Sequence, residues 1–279
     1  MTSRSIELAG LALEVISVAG IESALIVPAY KVAVDLGRGG DQVVQRRNVF
    51  LTHAHIDHLG GIAHHVGLRA LRRLPPPTYF VPAPIAARVE RVLDAWRELQ
   101  EDALPAEVRG LAVNERVTLR KDLEVVTFAT DHRVPSLGYH FVERTRRLRR
   151  ELVGEPGHVL AARRAAGEEL EDTHERVELT VAGDSTIDAL LASPAALTSK
   201  RLVMEVTFLD DRVSVEDARR KGHTHLAEVA QHAHLFENEA LLLCHVSTRY
   251  SALEARALVE ARLPSALFER CTLIAGDGP

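Results

Sequence analysis

Within six positions the chain carries His53, His55, Asp57 and His58, set in Thr52-His53-Ala54-His55-Ile56-Asp57-His58-Leu59-Gly60-Gly61 directly after the apolar run Asn48 to Leu51. Imidazole plus carboxylate at this density is a ligand set for zinc or a similar first-row metal. Softer thiolate ligands are absent, and an all-oxygen cage for magnesium is not offered. If the chain is extended through His53 and His55, a spacing of two puts both side chains on one side, where they can converge on one ion. Asp57 and His58, where the chain turns, can then face a second ion. The bland alternative is a polar loop that is rich in histidine by chance.

So short a cluster cannot close two sites, and further ligands must come from other strand ends. His132 follows Val125 to Ala129, Asp184 follows Val177 to Val181 within Ala182-Gly183-Asp184-Ser185, and His245 follows Leu241 to Cys244. A carboxylate has two oxygens and can bridge two cations, which makes Asp184 the natural bridging ligand. Taken alone, each of these three reads more simply as a structural residue; with the first cluster they complete a coherent set. Two cations sharing a water lower its pKa towards neutrality and neutralise charge on a phosphoryl or carbonyl oxygen. The implied chemistry is hydrolysis with water as nucleophile, and Asp57 could also orient that water.

Such a set needs strands whose ends meet, and the hydrophobic pattern supplies them. Leu11 to Leu36 reads as a meander of short strands, and Asn48 to Leu51 as a further strand entering the histidine loop. Helices are expected over Ile62 to Leu74, stopped by Pro75-Pro76-Pro77, and over Ile85 to Glu101. Strand-like segments follow at Val108 to Val113, Arg116 to Leu119 and Leu123 to Ala129. The second half offers strands at Val177 to Val181, Arg201 to Val206 and Leu241 to Cys244, with helices at Leu226 to Phe236 and Ser251 to Leu263. This is an α/β mixture of the α+β type, sheets covered by helices, expected to form one compact domain over 1–279. Residues 143–176, rich in Arg, Glu and Ala, read as an insertion, arm or flap in that domain. Its run Arg144-Thr145-Arg146-Arg147-Leu148-Arg149-Arg150 could neutralise several phosphates or line a solvated helix.

At 279 residues and 46% hydrophobic, the chain can bury a large core, and its net charge of −5 means that a polyanionic substrate must be held by a local patch. Cys244 and Cys271 are the only cysteines, which argues against a disulfide framework and a thiolate metal site. No segment reads as a membrane span or signal peptide, so a cytoplasmic location is the expectation. His64, His65, His232 and His234 read as surface residues or as residues one layer behind the ligands. His225, two positions from His223, could point into the same cleft but is not counted as a ligand.

Together, His53-Ala54-His55-Ile56-Asp57-His58, His132, Gly183-Asp184-Ser185 and His245 resemble the metallo-β-lactamase superfamily. The resemblance implies its four-layer αββα sandwich over nearly the whole chain. His132-Arg133-Val134-Pro135-Ser136-Leu137-Gly138-Tyr139 and Cys244-His245-Val246-Ser247-Thr248-Arg249-Tyr250 resemble the ribonuclease Z branch in particular, as do Met204-Glu205-Val206-Thr207-Phe208 and Gly222-His223-Thr224-His225. By that resemblance His53, His55 and His132 would hold one zinc ion, Asp57, His58 and His245 the other, and Asp184 would bridge them; manganese or iron are the alternatives to zinc. Glu205 and His223 would form a dyad beside the metals, with His223 stabilising the transition state or giving a proton to the departing oxygen. The implied substrate is precursor transfer RNA cut at its 3′ end, gripped by an arm like 143–176, and the implied assembly is a homodimer. The N-terminus departs from the family's Gly-Thr-Gly type turn; Val18-Ala19-Gly20-Ile21-Glu22 stands in a comparable place. The rival reading is a small-molecule hydrolase acting on a cyclic phosphodiester, thioester or lactone with the same metals. A metal-stabilised binding protein without turnover is the third.

Overall fold

The computed structural model describes residues 3–276. The first sheet runs in chain order: β1 (Arg4–Leu8), β2 (Leu11–Val18), β3 (Glu22–Val27), β4 (Val32–Val34), β5 (Asn48–Phe50), β6 (Thr78–Pro82) and β7 (Glu107–Leu111). The second holds β8 (Arg116–Arg120), β9 (Leu123–Ala129), β10 (Leu137–Leu148), β11 (Glu171–Val181), β12 (Arg201–Glu205), β13 (Ala240–Cys244) and β14 (Cys271–Leu273), again with sequential neighbours paired. Both sheets change character midway. β1 to β4 pair antiparallel and β4 to β7 parallel; β8 to β11 pair antiparallel and β11 to β14 parallel. Parallel neighbours need crossovers, and helices such as Ile62–Leu71, Ala86–Gln100, Leu226–Gln231 and Ala252–Arg262 provide them. All the parallel strands of a sheet therefore release their chain at one edge, where loops can carry ligands.

Alternation along these strands explains the layering. Phe50 enters the core between the sheets while its neighbours Val49 and Leu51 enter a second core under Ile62, Val66, Val89 and Leu93. Leu242 and Val203 join the inter-sheet core, whereas Leu241, Leu243, Leu202 and Met204 pack under Leu226, Val229, Ala255 and Val259. Three cores separate four layers, helix, sheet, sheet, helix. Strands buried on both faces carry continuous apolar runs, which is why Leu241 to Leu243 shows no polar alternation.

Residues 143–176 are the outer part of the β10–β11 hairpin. Its register runs from Tyr139 opposite Val181 to Leu148 opposite Glu171, with an irregularity at Phe141/Val142. The helix Gly157–Ala165 at its tip buries no side chain. The ribbon is braced by charge: Arg144 bonds Glu175 at 2.9 Å and Glu124 at 2.8 Å, and Arg116 bonds Glu175 at 3.0 Å. β11 begins at Glu171, earlier than the apolar signal at Val177, because these outer positions bury nothing that a hydrophobic pattern could reveal. The expected helix Leu226 to Phe236 ends at Gln231, and a 3-10 turn over Ala233–Leu235 completes it.

His65 departs from the sequence expectation: it is fully buried, with Nδ1 2.7 Å from Tyr79 Oη and Nε2 3.2 Å from the Val43 carbonyl. It belongs to the first sheet's outer core. His140, buried between Phe128, Thr180 and Ser193, is its counterpart in the second. Burial pushes the pKa of each down to about 4. Both rings are neutral in the fold and take up a proton in the unfolded chain below about 6.5. The unfolded state therefore binds more protons between those values; stability is intact above about pH 7 and is lost as pH falls towards 4. His140→Gln should lower stability at pH 7 yet lose less on acidification than the parent. Urea unfolding from pH 7 to 4.5 measures this, and parallel pH profiles for the two proteins would contradict it.

Candidate metal centre

The seven expected ligands come from four strand ends that meet where the two sheets abut. His53, His55, Asp57 and His58 leave β5, with the last two in the single turn Ile56–Leu59; His132 follows β9, Asp184 follows β11 and His245 follows β13. Gly183 makes the junction possible. Its φ is +67°, and a Cβ there would lie 2.7 Å from Thr52 Cβ, so only glycine lets the end of β11 approach the end of β5. Gly61 plays the same part behind the histidine turn, where a Cβ would collide with the Arg38 and Gly39 backbone.

The ligand atoms fall into two overlapping groups. His53 Nε2 lies 3.0 Å from His55 Nδ1, and His132 Nε2 lies 3.2 Å from the same atom. Asp57 Oδ2 lies 3.4 Å from both His58 Nε2 and His245 Nε2. Asp184 Oδ2 stands between the groups, 3.9 Å from His53 Nε2, 3.5 Å from His58 Nε2 and 3.2 Å from His245 Nε2. Bonds of about 2.0–2.1 Å in a tetrahedral zinc site put neighbouring ligand atoms about 3.3 Å apart, and the distances here, from 3.0 to 3.9 Å, bracket that value.

The hydrogen bonds behind the ligands decide which nitrogen faces inward. Asp35 accepts from the Thr52 N–H and the Thr52 hydroxyl, both at 2.8 Å, and from His58 Nδ1 at 2.8 Å. Because the Thr52 hydroxyl donates to Asp35, its oxygen is left to accept from His53 Nδ1 at 3.0 Å. His132 Nδ1 can only donate to the Gly222 carbonyl, at 2.8 Å. Thr207 repeats the Thr52 device: its hydroxyl donates to Glu205 Oε2 at 2.6 Å and accepts from His245 Nδ1 at 3.0 Å. Four histidines thus spend their Nδ1 protons outward and turn four Nε2 lone pairs, with the carboxylates, on one small volume. His58 Nε2 is buried and without a hydrogen-bond partner. An unpaired lone pair of this kind, surrounded by others, fits a cation.

The electrostatics agree. Burial holds His53, His55 and His132 below the usual imidazole value. Burial acts on His58 in the same direction, but Asp184 and Asp35 outweigh it and hold that ring well above. For Asp184, burial opposes ionisation and is overcome by His245, His58 and His53, so the carboxyl stays far below its ordinary range. Asp57 follows the same pattern, held down by hydrogen bonds with His245 and His58. The surroundings favour charged Asp57 and Asp184 and neutral His53, His55 and His132, the forms that bind metal, whereas at His58 a cation would take the place of the proton that Asp184 and Asp35 favour.

Glu205 and His223 adjoin it. Glu205 Oε1 lies 2.8 Å from His223 Nδ1 and accepts from the Ser185 N–H at 3.2 Å, while Oε2 takes the Thr207 N–H at 3.0 Å. Burial lowers the His223 pKa, and the Glu205 charge outweighs it and raises the value. The ring stacks on His245, 5.5 Å between centroids, with Nδ1 4.0 Å from Asp184 Oδ2. His225 is elsewhere in role: its side chain accepts from the Ala227 N–H and caps the helix Leu226–Gln231 together with Glu228. Among the described residues, His64, His65, His225, His232 and His234 join none of the clusters able to hold an ion. The supporting Asp35, Thr207 and Ser17 were not singled out from sequence; a lone Asp after the strand Val32–Val34 was the only trace of the first.

Comparison with known proteins places these features in a lineage. The beta-lactamase superfamily domain matches residues 36–246. The protein named tRNase Z TRZ1 of Arabidopsis thaliana is 37% identical over 263 residues, 94% of this chain and 94% of that one. The chloroplastic tRNase Z TRZ2 of the same plant is 37% identical over 258 residues, 92% of this chain and 73% of the other. In three dimensions the chain is similar to human tRNase Z, short form, with a TM-score of 0.57 at 18% identity, covering 99% of this chain and 96% of that one. It is also similar to the metallo-beta-lactamase fold protein YhfI from Bacillus subtilis, with a TM-score of 0.58 at 15% identity, covering 100% and 91%. These two likenesses speak to the fold alone. The sequence matches carry further: the chain belongs to the metallo-β-lactamase superfamily and, within it, to the tRNase Z or ribonuclease Z family.

Proposed function

We propose that this chain is an endoribonuclease that hydrolyses a phosphodiester at the 3′ side of precursor transfer RNA, with two divalent cations, zinc first among them, held by His53, His55 and His132, by Asp57, His58 and His245, and by Asp184 between them. The observation that carries the reading is the set of four Nε2 lone pairs and two carboxylates turned on one volume. When bound, the cations would lower the pKa of a water towards neutrality and neutralise charge on the phosphoryl oxygens.

The chain's own residues supply the rest. Asp57 Oδ2 is committed to the Gly20 N–H at 2.9 Å, leaving Oδ1 to orient the attacking water. His223, its Nδ1 fixed on Glu205, keeps Nε2 for the substrate; the Glu205 charge favours the protonated ring, the form that gives a proton to the departing oxygen. His55, His132 and His223 are partly exposed while His53, Asp57, His58, Asp184 and His245 are buried, so substrate arrives over those three rings. For RNA the ribbon offers charge: Arg146, Arg147 and Arg150 lie on or beside it, and no described carboxylate forms an ion pair with them.

Four outcomes test this reading. Zinc-loaded protein should cut a 3′-extended precursor transfer RNA at a single 3′ site and Asp184→Ala should not; turnover of bis(p-nitrophenyl) phosphate alone would move the substrate to small diesters. His223→Ala should lower kcat by roughly 10²–10⁴-fold with little change in KM, and Glu205→Gln should shift the acidic-to-alkaline pH profile of kcat downward in pH, since it removes the charge that raises His223. Replacing Arg146, Arg147 and Arg150 by Ala should weaken RNA binding and flatten its dependence on log salt by about 0.7–0.9 per lost phosphate contact. Turnover of the small diester should not change in that triple variant; an unchanged salt slope would remove the ribbon from the RNA interface.

A further inference from the structure

The end of β2 and the turn into β3 stand where the family has its Gly-Thr-Gly type turn and depart from that motif, yet they touch the metal centre twice. Ser17 Oγ, buried near the end of β2, accepts the His245 N–H at 2.7 Å across 228 residues of sequence. Gly20 donates its own N–H to Asp57 Oδ2 at 2.9 Å. We infer that this turn is a clamp for one half of the centre, with Ser17 and Gly20 acting as positioning residues for His245 and Asp57 and so for the second ion in particular.

Backbone geometry shows why a clamp is needed. His245 follows β13 with φ +56°, a left-handed conformation that a non-glycine residue adopts only when its surroundings impose it. A buried N–H turned out of the strand ladder needs an acceptor. Ser17 provides that acceptor from the opposite sheet. At the other end of the turn, Gly20 has φ +72°, and a Cβ there would meet nothing within 4 Å. Glycine is required there for the conformation that aims its N–H at Asp57, not for space.

The two ligands held this way come from different sheets, Asp57 from the loop after β5 and His245 from the end of β13. The turn bonds both and thereby fixes the gap between them. The other group is supported differently. His53 leans on Thr52 and His132 on the Gly222 carbonyl, and neither receives a hydrogen bond from the turn. Loosening the turn should therefore affect the two ions unequally. Outer hydrogen-bond partners of ligands typically change metal affinity by about 10–100-fold.

This rests on the two-cation reading above, and the test separates the two. Metal-free protein would be titrated with zinc against a chromophoric chelator, with thermal unfolding as a fold control. The parent should take up two equivalents. Ser17→Ala should keep the first at parental affinity and bind the second at least about tenfold more weakly, and Ser17→Thr, which restores a hydroxyl, should recover it. If Ser17→Ala does not fold, Gly20→Ala, whose methyl enters open space, should show the same selective loss. Two parental affinities in a folded Ser17→Ala protein, or equal weakening of both, would overturn the clamp. A parent that takes up fewer than two equivalents would instead sink the two-cation reading and the clamp with it.

Discussion

Asp184 sets the terms for the rest of the molecule. A carboxylate that is 3% exposed must be compensated where it stands, and its surroundings offer imidazole nitrogens where backbone N–H donors might have been. Because those nitrogens present lone pairs, hydrogen bonding alone leaves the centre under-compensated. The protein answers in two ways that share one geometry: a proton on His58, which Asp184 and Asp35 favour, or cations among the same atoms. Proton and metal therefore compete for one volume, and metal affinity must fall as pH falls.

Holding like groups face to face costs stability, and the fold recovers it by making every supporting bond specific. Asp35 and Glu205 are the two anchors. Each accepts from a threonine N–H or hydroxyl and from an imidazole, and each threonine passes its own acceptor oxygen to a second histidine. The arrangement occurs once at the edge of the first sheet and once at the edge of the second. Asp35, like His245, sits at positive φ. Strain of that kind persists only where several contacts fix it, and here the contacts are the ones that aim the ligands.

The residues that converge at the centre were legible in the sequence because metal chemistry would demand particular residue types at strand ends, and such a demand leaves dense signals such as His53 to His58. Sheets covered by helices were legible too, from apolar runs such as Leu241 to Cys244, but the four-layer order came from the family resemblance, since Val49, Phe50 and Leu51 are all apolar and nothing in their pattern says which core each enters. The supports were not legible. Asp35, Thr207 and Ser17 are single polar residues after or within apolar runs, and which atom each bonds depends on how two sheets approach, which no spacing encodes. Residues 143–176 read as an insertion, arm or flap, but the two strands that build them were not legible, because they are held by cross-strand ion pairs such as Arg144 with Glu175 and charge alternation resembles solvated sequence. His65 was misplaced because a histidine behind a Gly-Gly turn carries no mark of the Tyr79 hydroxyl that awaits it.

Burial then decides direction. His53, His58, Asp184 and His245 are closed off, while His55, His132 and His223 keep part of their rings in solvent. A bulky polymer can approach only on that side, and it meets His223 before the buried ligands. The raised His223 pKa thus lies on the open side, which is what the proposed proton donor requires. Under the same approach, the buried His245 is fastened from the side away from solvent, by the buried Ser17 at the end of β2, and the buried Asp57 by Gly20.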